Sequence, residues 1–188
     1  MIILGIDPGT NILGYSILET NNNKLKIIDS GVLNLKATND HFEKLKKILQ
    51  YINKLIDQYN PNAMSIESPF YGKNIQSMLK LGRAQGVAIA GAINRGLDVV
   101  EYSPRLVKQS VTGNGNASKE QVAMMVKSII GLKQIPETFD ETDAIAVALC
   151  YHYQQNKISS KKSYMSWNDF ISKNPDKLNN WNAKRFSL

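Results

Sequence analysis

The sequence predicts an α/β protein built on a mixed five-stranded sheet with helices on both faces. Two observations carry this. Three strand-like segments follow one another at the start of the chain, and helical and strand-like patterns alternate after them. A length of 188 residues, 43% of them hydrophobic, suits one packed domain with an appendage and is short for two full domains.

Ile2, Ile3, Leu4 and Ile6 form an apolar run that stops at Asp7, and Pro8-Gly9 supplies turn chemistry before Gly14 to Leu18 resumes a strand pattern. Lys24 to Leu35 reads as a third strand after an Asn-rich turn, so the three form an antiparallel meander. Asp40 with Glu43 three residues on marks a helix start, and Phe42, Leu45, Ile48, Leu49, Ile52, Leu55 and Ile56 recur at helical spacing up to Pro61. A short strand from Ala63 to Ile66 stops at Glu67. A long helix follows from about Ile75 to Arg95, and Gly96 ends it. Its Gly82, Gly86 and Ala90 fall four apart on one side, which suits either a closely approaching second helix or packing on the protein's own sheet. Val99 and Val100 fit a fifth strand, and Pro104 to Val111 a short helix. Ser118 with Gln121 forms a capping box for the next helix, and a last helix runs from about Asp140 to Gln155.

These elements occupy residues 1–155, which read as one domain, expected to carry any catalytic site. Residues 156–188 form a basic tail that also carries Trp167, Phe170, Trp181 and Phe186. Of the net charge of +7, +5 lies beyond Cys150, so the body is only mildly basic and net charge alone does not establish nucleic-acid binding. The tail fits either docking on the body or a surface for DNA or a partner protein. The single cysteine excludes an intrachain disulfide, no Cys and His spacing suggests zinc, and no segment has the length of a membrane span or signal-peptide core. A cytoplasmic location, away from membranes, is expected.

Asp7 ends a strand that should be buried, where an ionised carboxylate is costly without a cation or hydrogen bonds. An Asp before Pro-Gly can also cap a turn, so Asp7 by itself leaves structure and chemistry both open. Glu67 repeats the pattern without that explanation. If the two strands are parallel neighbours, about 4.8 Å apart, their terminal carboxylates meet at one sheet edge, where open α/β sheets bind ligands. Asp140 and Asp143 share a face at a helix start; taken alone they read more readily as residues that cap the helix and offset its dipole. Glu141 points elsewhere. The four carboxylates together make an oxygen-rich site for hard cations such as Mg²⁺, with Mn²⁺ as a substitute, and support two-metal hydrolysis of a phosphodiester. His41 and His152 assemble no convincing nucleophilic triad.

Gly5-Ile6-Asp7-Pro8-Gly9-Thr10 opens a series of short motifs. It continues with Glu67, Phe70, Lys73-Asn74 and Leu79-Lys80-Leu81-Gly82, then Val107-Lys108-Gln109, Thr112-Gly113-Asn114-Gly115 and Lys119 with Gln121-Val122. Asp140 and Asp143-Ala144-Ile145-Ala146 complete it. Each motif is weak alone, but in this order and spacing the set resembles the RuvC Holliday-junction resolvases over about residues 1 to 155. The resemblance implies an RNase H-like fold, a homodimer, and paired nicks across four-way junction DNA in recombination and repair. By carry-over, Asp7 bridges two ions, Glu67 completes one site, and Asp143 with Asp140 the other. Phe70 matches an aromatic that inserts at the junction centre, Lys108 and Lys119 match basic residues near the scissile phosphate, and Lys73 joins the DNA-contacting set. RuvA and RuvB branch-migration proteins are candidate partners, with no segment assigned to them. Without the family, Phe70 reads as a core aromatic, Lys108 as a solvated helix residue and Lys119 as the first residue after a cap. Tyr151 stands where relatives often carry His, and neither it nor His152 is given a role.

Three other readings compete. Actin- and Hsp70-type ATPases share the opening motif but need two lobes and a second Gly-rich loop, for which the chain has neither length nor sequence. A YqgF-type RNA-processing nuclease would lack the Phe70 loop and the Lys-Gln segment. A non-catalytic junction binder would have no use for four costly carboxylates.

Overall fold

Apolar residues alternate or run continuously through the first three strand segments, and these pair as the predicted meander. In a computed structural model of the chain, which describes residues 1–21, 24–69 and 74–160 (157–160 as backbone), β1 (Ile2–Asp7), β2 (Ile12–Asn21) and β3 (Lys24–Asn34) are antiparallel neighbours. β4 (Ala63–Glu67) then joins β1 on its free side in parallel, and β5 (Asp98–Tyr102) joins β4 in parallel. The sheet order is β3-β2-β1-β4-β5, so β1 and β4 are central. The chain divides into a unit Met1–Gln154, which holds these elements, and a second unit Gln155–Leu188.

The helix boundaries follow local chemistry. α1 (His41–Tyr59) is capped by Asp40, whose side chain accepts from the Glu43 N–H at 2.8 Å, and it ends in a left-handed Asn60 before Pro61. α2 (Ile75–Asn94) starts at Asn74 and gives way to Gly96 at positive φ. α3 (Pro104–Thr112) has its proline at the first turn, and α4 (Lys119–Ile130) opens with the full capping box of Ser118 and Gln121. α5 spans Phe139–Ser160, beginning one residue earlier and running further than the expected Asp140 to Gln155. Its N-terminal cap is Thr138, whose hydroxyl accepts from the Glu141 N–H at 3.3 Å. Asp140 and Asp143 are therefore not the cap; Asp140 stands in the first turn, where its charge still offsets the helix dipole, and Asp143 lies beyond it.

Two apolar layers cover the sheet. On one face Leu4, Ile6, Ile17, Met64 and Ile66 pack with Ile48, Ile52 and Leu55 of α1 and Ala84, Ala88 and Ala92 of α2. On the other, Ile3, Leu18 and Ala63 pack with α3, α4 and α5. Every residue of α5 from Ala144 to Cys150 is fully buried, so this helix is apolar all round rather than striped. It can lie so close to the strands because Gly5 and Gly14 have no side chain: a Cβ at either would collide with the backbone carbonyl of Ala144 or Asp140. Two buried serines fix its height. Ser16 Oγ donates to the Ala144 carbonyl at 2.9 Å and Ser65 Oγ to the Val147 carbonyl at 2.8 Å. Buried hydroxyls need such partners, so strand and helix each determine the other's register. No described helix is long and apolar enough to cross a membrane.

Candidate active site

Side chains alternate along a strand, so Asp7 lies on the face of Gly5, and Glu67 on the face of Ser65. Both of those residues touch α5. The parallel register sets Ile6 beside Ile66, and the next residues, Asp7 and Glu67, leave the sheet at one edge toward that helix. Asp143 precedes Ala144, the residue held by Ser16. The three carboxylates line one cleft of about 600 Å³ with Lys108 of α3, Lys119 of α4 and Arg105. Glu67 is further steadied through its backbone, whose carbonyl accepts from Nε2 of the buried Gln85 at 3.4 Å.

The electrostatics are those of like charges held together away from water. Burial, then the charges of Glu67, Asp143 and Asp140, raise the Asp7 pKa well above the carboxylate range, with Lys119 opposing. Burial and Asp143 push Glu67 up to about 7 despite Lys119 and Lys108. Asp143 is matched directly: Lys119 Nζ donates to its Oδ2 at 2.7 Å. Burial works against the Lys119 charge, but that bond and the charges of Asp143, Asp7 and Asp140 outweigh it and raise its pKa. Glu141 turns away, accepting from Ser30 Oγ at 2.7 Å.

The family model for crossover junction endodeoxyribonuclease RuvC matches residues 3–151 of the chain. The chain belongs to the RuvC family. Similarity to individual RuvC proteins covers still more of its length: the Cytophaga hutchinsonii protein is 51% identical over 97% of this chain and 90% of its own. The Christiangramia forsetii protein is 48% identical over 94% and 92%. Among solved structures, Thermus thermophilus RuvC in complex with a Holliday junction substrate superposes with a TM-score of 0.79. It is 30% identical and covers 86% of this chain and 98% of that one. The expected RNase H-like architecture and the nuclease class are thereby established, and RuvC nucleases depend on a divalent metal.

The donor set suits such an ion. Hard carboxylate oxygens gather where their own repulsion holds protons on, and an ammonium already neutralises one of them. Asp7, Glu67 and Asp143 share one cleft wall, although among the described residues no three Asp, Glu, His or Cys side chains stand close enough to form a ready-made metal cluster. Among the RuvC residues read from the sequence, Asp7, Glu67, Asp143, Lys108 and Lys119 come together in the cleft. Asp140 does not line it, although its charge bears on both Asp7 and Lys119. Phe70 and Lys73 lie outside the described residues. Lys108 and Lys119 are not the bland surface residues their local sequence suggests. Arg105 and Asn116, which also line the cleft, were missed. A signal existed for Arg105, since it follows Ser103-Pro104 at a helix start directly after a strand whose end adjoins Glu67.

Proposed function

We propose that this RuvC-family chain resolves Holliday junctions by paired, symmetric nicks, using Mg²⁺ held by Asp7, Glu67, Asp140 and Asp143 at two positions per site. The observation that carries the reading is that Asp7, Glu67 and Asp143 line one cleft with two lysines at the strand edge. When bound there, the ions supply activation of the attacking water and charge stabilisation at the leaving oxygen. The chain's own residues orient the strand. The Lys119 ammonium stands against Asp143, and Lys108 and Arg105 offer N–H donors to phosphate oxygens from the cleft wall. Phe70 is assigned to stacking at the junction centre and Lys73 to the DNA backbone. Residues 1–155 form the catalytic domain and 156–188 a basic tail, and RuvA and RuvB are the partners this reading implies. The deciding experiment is nicking of a mobile four-way junction with and without Mg²⁺; a wild-type chain that leaves the junction intact with Mg²⁺ overturns the proposal.

Two opposed nicks from a chain with one carboxylate cleft among its described residues require two copies, and a two-fold dimer suits a two-fold junction. α2 supports this role. It packs on the body through Ala84, Gln85, Ala88, Gly91 and Ala92, whereas a Cβ at Gly82 or Gly86 would meet nothing within 4 Å. The stripe therefore does not pack on the protein's own sheet. Ile75, Leu79 and Ile93 continue it at helical spacing and are exposed by 70%, 52% and 60%. Replacing Gly86 with Leu should give a folded monomer that makes single but not paired nicks, read by sedimentation with circular dichroism. A variant that stays dimeric counts against α2 as the interface.

A further inference from the structure

The cleft is not the only concave, charged surface at this end of the sheet. A second pocket, of about 240 Å³, is lined by Thr10, Asn11, Asn39 and His41 with Lys44, Ser77 and Lys80. Its lining brings together two ammoniums, an imidazole, two hydroxyls and two amides, and no carboxylate contributes. The acids nearest in sequence are engaged elsewhere: Asp40 caps the Glu43 N–H at 2.8 Å, and Glu43 lies 3.6 Å from Lys46. Lys44 Nζ donates to Asn11 Oδ1 at 2.9 Å, which uses one of its three N–H groups and aims the ammonium at the pocket wall. His41 lines the pocket, and its Nε2 is buried with no hydrogen-bond partner, a rare condition for a polar atom in a folded protein.

We propose that Thr10, His41, Lys44, Ser77 and Lys80 form a phosphate-binding site that seats a backbone phosphodiester of the DNA away from the point of cleavage. It rests on the junction-nuclease reading and adds a second anchoring point to it. Its position suits the role. Asp7 faces α5, whereas this pocket is made by the turn three residues beyond Asp7 and the first two turns of α1 and α2, which cover the opposite face. The two sites thus flank the end of β1, and a strand crossing the sheet edge would meet both. The same donors would accept inorganic phosphate. A DNA strand is favoured because Phe42, next to His41, is 72% exposed and offers a ring to a base, which free phosphate cannot use.

The test uses the full chain and an intact four-way junction in divalent-free buffer. K44Q/K80Q should bind the junction roughly three- to tenfold more weakly at low salt. Its plot of log affinity against log salt should be shallower by about one, the signature of one lost phosphate contact. K44R/K80R should restore binding, and K46Q, outside the pocket, should match wild type. With only two histidines in the chain, imidazole NMR should show the junction shifting His41 and not His152. Wild-type affinity and salt slope in a K44Q/K80Q protein with an unchanged circular dichroism spectrum would overturn the site. So would a His41 signal that moves with inorganic phosphate but not with the junction, which would mark a free-anion pocket. A chain that passes these binding tests yet never nicks with Mg²⁺ would instead sink the nuclease reading and leave this site standing.

Discussion

The carboxylate cleft and the basic pocket sit on opposite faces of one strand end, and their charge differs: acids and bases are matched in the first, and the charged residues lining the second are all bases. In the cleft three acids face two lysines and an arginine, and burial with mutual repulsion raises the pKa of Asp7 and Glu67. In the pocket two lysines face no acid at all. An anion can enter the pocket unaided. In the cleft the carboxylates compete with an anion for the same cationic side chains until metal ions offset them, which is why one surface suits metal-dependent chemistry and the other suits holding a strand.

The comparison can be broken most severely at Asp7 and Asp143. Asp7→Asn and Asp143→Asn should each lower junction nicking at least about a hundredfold, since an ion is worth several kcal/mol to the transition state. Junction affinity should stay within a few fold, because little DNA-contacting surface is lost. Wild-type nicking in either variant would remove the cleft from catalysis.

A smaller effect is expected at Lys119, which pairs with Asp143. Lys119→Met should reduce nicking roughly tenfold to a hundredfold by removing one fixed positive donor from the reacting phosphate, and Lys119→Arg should recover part of it. Equal loss in both variants would point to shape rather than charge.

The mildest test concerns stability without metal. Glu67 titrates near 7 in the fold against about 4.5 when unfolded, and Asp7 is raised in the same sense. A raised carboxylate pKa means that the fold prefers the neutral acid. Its contribution is fully present below pH 4.5 and is lost as pH rises through about 7. Metal-free protein should therefore weaken across that window in urea denaturation. Glu67→Gln should be more stable than wild type at pH 8 by about 1–3 kcal/mol, and divalent ions should narrow that gap. A flat pH profile, with no gain in the variant, would show the carboxylates to be better solvated than their burial implies.

Much of this was legible from residue patterns because it depends on local chemistry. Asp40, Ser118 and Gln121 cap their helices as their spacing suggests, and the five strand-like segments become the five strands. The helix carrying Asp140 and Asp143 was legible in kind but not in its start, because Thr138 outcompetes Asp140 for the cap and no rule of propensity separates two good capping residues so close together. Arg105 and the basic pocket were missed for a different reason. Their residues come from separate turns and helix ends, and nothing in a one-dimensional pattern marks which of several exposed lysines share a wall.

The sequence by itself determined the order of elements, the strand-end placing of Asp7 and Glu67, and family membership, since these follow from hydrophobic period, turn residues and motif spacing. Only the tertiary structure decided that β1 and β4 are neighbours in parallel register, that α5 lies on Gly5 and Gly14 closely enough to bring Asp143 to them, and that Asp140 stands outside the cleft wall. The physical reason is that strand adjacency and helix height are set by packing between residues far apart in the chain, 60 positions for Ile3 and Ala63 and 128 for Ser16 and Ala144, whose contacts no local preference encodes.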